Sequence, residues 1–172
     1  YGWRVALLLT AIPALYAIYL RLHLPDSPQF TAKKNPSRSI LQNLKDVWSK
    51  KYMRPTLMLW IVWFTVVFSY YGMFLWLPSV MVLKGFSLIK SFEYVLIMTL
   101  AQLPGYFTAA WLIEKVGRKF VLATYLFGTA ISALAFGLTD ITWMLIVSGM
   151  LLSFFNLGAW GALYAYTPEQ YP

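Results

Sequence analysis

Five stretches, at roughly 3 to 22, 55 to 83, 92 to 113, 120 to 138 and 141 to 166, are strongly apolar, and each is about as long as a helix must be to cross a bilayer core. A backbone in hydrocarbon finds no water for its N–H and C=O groups, so a crossing segment must be a helix or part of a closed barrel. One-residue alternation of polar and apolar side chains is absent, which excludes barrel strands. The sequence therefore predicts an all-α, polytopic transmembrane helix bundle. Composition agrees: 60% hydrophobic and 12% charged residues leave too little polar surface for a water-soluble domain. With no initiator Met, no basic-then-apolar leader and an abrupt "TPEQYP" ending, the 172 residues are expected to be an internal piece of a longer polypeptide.

Charge placement predicts orientation. Arg21, Lys33, Lys34, Arg38, Lys45, Lys50, Lys51 and Arg54 follow the first apolar run, and Lys115, Arg118 and Lys119 lie in the third connection. The opposite side carries only Arg4, Lys84 and Lys90, so the long connection and the "EKVGRK" loop are expected in the cytoplasm. This distribution accounts for the net charge of +8 without a nucleic-acid partner. In "RSILQNLKDVWSKKYM" the residues Ile40, Leu41, Leu44, Val47 and Trp48 share one helical face. That pattern predicts an amphipathic helix, either on the inner leaflet among anionic headgroups or serving as a plain linker.

Enzyme chemistry finds little support. The single His23 lies at the end of the first run and reads as a solvated interfacial side chain. No carboxylate pair, metal-ligand spacing or Gly-rich phosphate loop occurs, and Cys is absent, so neither catalysis nor a cofactor or metal is expected. Polar and aromatic residues on particular helix faces are more informative in a bilayer than in water. In the last run Gly149, Ser153, Asn156, Trp160 and Tyr164 form one stripe, which either lines a cavity or packs helices around an interhelical hydrogen bond worth about 0.6 kcal/mol. Thr99, Gln102 and Tyr106 lie near one face of the third run, where Pro104 and Gly105 predict a kink or local unwinding. In the second run Thr65, Ser69, Gly72 and Trp76 share a stripe beside Tyr70 and Tyr71, which favours a cavity. Glu93 and Asp140 fall near the outer ends of helices and read as interface residues rather than proton carriers.

Three short motifs then carry a family resemblance. "EKVGRK" at 114–119 resembles the cytoplasmic loop motif of the second half of the major facilitator superfamily. "PDSPQF" at 25–30 resembles the signature closing the sixth helix of its sugar-porter branch, and "PEQYP" at 168–172 the one ending the tenth. "FSYYGMFLW" stands where sugar porters carry Q-Q-x-S-G, Gln29 replaces the signature Arg, and Gly158-Ala159-Trp160 departs from P-x-P-W, which disfavours sugar. "VFSYYGMFLWLPSVM", "FEYVLIMTLAQLPGYF" and "LLSFFNLGAWGALYAYTPEQYP" resemble the bacterial niacin carriers among the metabolite:proton symporters.

The resemblance implies helices six to ten of a twelve-helix fold. Residues 1–24 would be the last helix of the N-terminal half, 25–54 the cytoplasmic linker, and 55–172 the first four helices of the C-terminal half. It further implies a monomer in the cell inner membrane, working by alternating access on protons and an aromatic carboxylate such as nicotinate. A symporter for another aromatic acid or small organic solute, and a transporter-like binding or scaffold protein without flux, are the competing readings. Tyr70, Tyr71, Gln102, Asn156, Trp160 and Tyr164 would contact substrate. Arg118 would meet Glu169, with Asp26, Glu114 and Lys119 nearby and Gly117 permitting the tight turn.

Overall fold

The computed structural model describes residues 2–24 and 40–171, all helical or in connections, with no strand among them. The chain forms two units, Tyr1–Asn43 and Leu44–Pro172. In the first, α1 runs Gly2–His23 and carries Pro13 inside it. His23 Nδ1 lies 2.9 Å from the Tyr19 carbonyl, and its ring stacks on the Tyr19 ring. Asp26 and the "PDSPQF" stretch fall outside the described residues, as do Lys33, Lys34 and Arg38.

The amphipathic segment forms α2, Ile40–Val47, shorter than the predicted stretch. Turns take over from Trp48, whose ring meets Trp60 edge-on at 5.6 Å. The Val47 carbonyl accepts a bond from Thr56 Oγ1 at 3.1 Å.

The remaining helices are α3 (Met53–Phe74), α4 (Leu77–Leu83), α5 (Leu88–Leu100), α6 (Gln102–Val116), α7 (Arg118–Leu138) and α8 (Thr142–Tyr166), followed by a 3-10 turn at Thr167–Gln170. Among the described residues, four continuous helical stretches are long and apolar enough to cross a membrane: Met53–Phe74, Leu88–Val116, Arg118–Leu138 and Thr142–Gln170. The first apolar run of the sequence is the 22-residue helix α1, whose apolar part, Leu7–His23, is shorter than these four stretches.

Proline places the breaks. A proline ring clashes with the carbonyl four residues earlier and supplies no N–H to it. Pro78 and Pro104 stand four residues after Phe74 and Leu100, the last residues of α3 and α5. The chain tightens at both points, with Trp76 N–H donating to the Met73 carbonyl and Ala101 N–H to that of Met98. Pro104 then occupies the first turn of α6, where a missing N–H costs nothing. The kink expected at Pro104-Gly105 is therefore a break one turn earlier, at Ala101.

Glycine makes two of the turns. Gly85, at φ +94°, follows α4, and the bonds Phe86 N–H to Met81 O and Gly85 N–H to Val82 O form a Schellman cap. Gly117, at φ +96° and ψ 149°, is the single residue between α6 and α7, a conformation that strongly favours glycine.

Helix α8 is the centre of the second unit and packs on α3, α5, α6 and α7. Small residues allow this. A Cβ on Gly105 would overlap the backbone of Phe154, and one on Gly158 would overlap the Tyr125 ring and reach within 3.0 Å of the Gly105 carbonyl. Thus at Gly105 α6 lies directly against the backbone of α8. Beside it, the Thr108 and Tyr125 hydroxyls share a 2.9 Å hydrogen bond that ties α6 to α7. Large apolar side chains such as Trp60, Ile61, Phe64 and Phe68 remain exposed along α3. Such a continuous apolar surface is incompatible with water and suits a hydrocarbon surround.

Candidate functional site

The second unit carries its charged pairs at opposite ends. At one end, Lys84 Nζ donates to the Thr139 carbonyl at 2.8 Å and meets Asp140 Oδ1 at 3.3 Å. This clasp joins the α4–α5 turn to the α7–α8 connection. At the other end, Arg118 forms an ion pair with Glu169 and joins the start of α7 to the 3-10 turn. Two cations, Arg118 and Lys119, occupy the first turn of α7, where the helix dipole disfavours positive charge. The Glu169 carboxylate offsets that. Both partners are about half exposed, so the pair contributes at most about 1 kcal/mol.

Glu114 and Arg118 line one small cleft with Tyr106 and Gly161, about 260 Å³ in volume. Lys119 and Glu169 line a second with Gly117 and Phe120. Lys115 instead lies 4.0 Å over the Trp111 ring. Of the loop residues singled out by sequence, the structure brings Glu114, Arg118, Lys119 and Glu169 around Gly117.

Between the two ends, α3 and α8 gather aromatic rings. Trp160 lies 5.5 Å from Tyr70, 5.7 Å from Tyr164, 5.9 Å from Trp63 and 6.4 Å from Tyr71, centroid to centroid. Most of these contacts are edge-on, the arrangement that the ring quadrupole favours. Tyr71 and Tyr164 are each more than half exposed. The Tyr70 hydroxyl donates to Gln102 Oε1 at 3.5 Å, a long bond that leaves the amide easily redirected. Asn156, 1% exposed, donates to Ser69 Oγ at 3.0 Å and links α8 to α3.

The Trp160 indole N–H and the Ser153 hydroxyl are buried and have no hydrogen-bond partner. A buried donor left unpaired costs about 1 to 3 kcal/mol. Gly149 packs against Met98, and Thr65, Gly72 and Trp76 are exposed, with Trp76 beyond the end of α3. The α8 stripe thus packs helices at Gly149 and Asn156 and joins a ring cluster at Trp160 and Tyr164.

Two residues with buried or cross-helix bonds escaped sequence reading. Trp63 completes the cluster, and its N–H donates to Thr167 Oγ1 at 3.0 Å. Thr56, 1% exposed, shares a 2.9 Å bond with the Tyr171 hydroxyl. Trp63 stands seven residues before Tyr70, two helical turns, and that spacing was the available signal.

Long apolar helices, proline-made breaks, glycine turns and paired charges at both ends define a multi-pass α-helical membrane protein. Its sequence matches the Major Facilitator Superfamily across residues 1–172, and the chain belongs to that family. It is 68% identical, over its whole length, to the Bacillus subtilis protein named "Putative niacin/nicotinamide transporter NiaP". It is 44% identical, again over its whole length, to "Niacin transporter NiaP" of Acinetobacter baylyi. A third relative, "Synaptic vesicle 2-related protein" of Xenopus laevis, is 25% identical over 99% of the chain. The chain covers 43%, 46% and 40% of these relatives, respectively. No solved structure matches it significantly.

Proposed function

We propose that the protein of which this chain is part takes up niacin, as nicotinate or nicotinamide, by proton symport through alternating access. The observation that carries this reading is the similarity, over the whole chain, to two relatives named for niacin. The ring cluster is chemically compatible with it. A pyridine ring can stack on Tyr70, Tyr71 or Trp160 and turn an edge to Tyr164, while Gln102 offers an amide. Asn156, already bonded to Ser69, would hold α3 against α8 and so position the cluster.

In this reading the chain is helices six to ten, with residues 1–24 ending the N-terminal half and 25–54 linking to 55–172. The full-length protein is a monomer in the cell inner membrane. The Arg118–Glu169 end and the linker face the cytoplasm. Alternating access needs contacts that form in one state and break in the other. A half-exposed ion pair suits that, because it biases the equilibrium without locking it. Proton coupling follows from electrostatics: one negative charge entering a negative-inside cell costs about 2.3 kcal/mol per 100 mV, and a co-transported proton removes that term.

The test is uptake of labelled nicotinate by cells that lack their own carrier and express the full-length protein. Accumulation that a protonophore abolishes supports the reading. No accumulation, with protein verified at the membrane, rejects it and favours another small organic solute or binding without flux. Unchanged apparent affinity in both Gln102→Ala and Trp160→Ala rejects the pocket alone.

A further inference from the structure

We infer that the Trp160 indole N–H reads the ring nitrogen of a pyridine, which makes Trp160 the residue that separates nicotinate from carbocyclic acids of the same shape. The inference rests on the reading of the ring cluster as the niacin site. Its physical basis is the donor itself: Trp160 Nε1 is buried and has no hydrogen-bond partner, although Trp63, the nearest other indole, has found one in Thr167. A desolvated N–H without an acceptor is a standing cost that a ligand acceptor can remove.

The chemistry of the surroundings selects which acceptor. Trp160 is ringed by Trp63, Tyr70, Tyr71 and Tyr164, apolar rings in edge-on and tilted contact with it. A carboxylate desolvated among those rings, with one neutral donor and no cation in the cluster among the described residues, would be unfavourable by far more than that bond returns. The pyridine nitrogen is neutral, has one lone pair in the ring plane, and matches a single in-plane N–H. It is also the same acceptor in the acid and the amide, the two forms joined in one relative's name. The carboxylate or carboxamide then points out of the cluster. Tyr71 and Tyr164, each more than half exposed, form the outer side of the cluster.

The experiment measures inhibition of labelled nicotinate uptake by the full-length protein, using benzoate, nicotinamide and N-methylnicotinate as competitors. Benzoate keeps the carboxylate and loses the nitrogen; N-methylnicotinate blocks the lone pair. In the unaltered protein, nicotinamide should compete well, and the other two about tenfold worse than unlabelled nicotinate. Trp160→Phe should weaken nicotinate about tenfold and leave benzoate unchanged. If benzoate competes as well as nicotinate in the unaltered protein, or if the variant weakens both equally, the inference is overturned, the second result assigning the N–H to the carboxylate. The competitor arm can overturn the inference even if the variant folds poorly. Absence of any nicotinate uptake removes the functional reading itself, whereas uptake without discrimination removes only this inference.

Discussion

Two loop residues concentrate the conformational argument. Gly117 adopts φ +96°, where a side chain is strained, so Gly117→Ala should cost about 1 to 3 kcal/mol. The expected readout is a lower melting temperature of the purified full-length protein, and no change would mean that the α6–α7 turn relaxes freely. Arg118 poses a different case. Its pairing with Glu169 is half exposed, so Arg118→Ala should leave insertion and yield intact while uptake falls severalfold or more. Restoration by the double exchange Arg118→Glu, Glu169→Arg would tie the loss to the pair. Normal uptake kinetics in Arg118→Ala would remove the gating role.

Element by element, the helices were legible where hydrophobic runs end at charges, as at Arg118 and Lys115, and less so where packing decides. The break at Ala101 illustrates this: Pro104 was visible, but a proline disrupts the carbonyl four residues before it and is itself comfortable in the first turn of the next helix. Gly105 looked like part of a kink and is instead the contact with Phe154, because nothing within α6 reveals which helix crosses it. The Asn156–Ser69 bond was likewise hidden, since both polar stripes could be drawn but not matched across 87 residues. The crossing gives a direct prediction. Gly105→Val must displace the backbone of α8, so the full-length variant should lose most of its folded yield in detergent, as read by size-exclusion profile. Tyr125→Phe removes only the 2.9 Å bond to Thr108 and should cost about 1 kcal/mol. A monodisperse Gly105→Val protein would show that α6 and α8 separate at little cost.

At the scale of the whole molecule, the sequence placed nearly all positive charge in two connections, and the structure of the second unit sets Lys119 and Lys84 at opposite ends of its helices. Sidedness can be read directly because this chain contains no cysteine. In a full-length protein freed of any cysteine elsewhere, Lys119→Cys should label only from the cytoplasm and Lys84→Cys only from outside. The reverse pattern would invert the proposed topology. The ligand was legible only through resemblance: a cluster of rings with one idle N–H does not by itself name what it binds. The most direct measurement is therefore transport by the purified full-length protein in sealed proteoliposomes with an imposed proton gradient. Labelled nicotinate should accumulate inside when the exterior is acidic and leak away when a protonophore collapses the gradient. Equal uptake with and without the gradient would contradict proton coupling, and no uptake under either condition would contradict niacin transport itself.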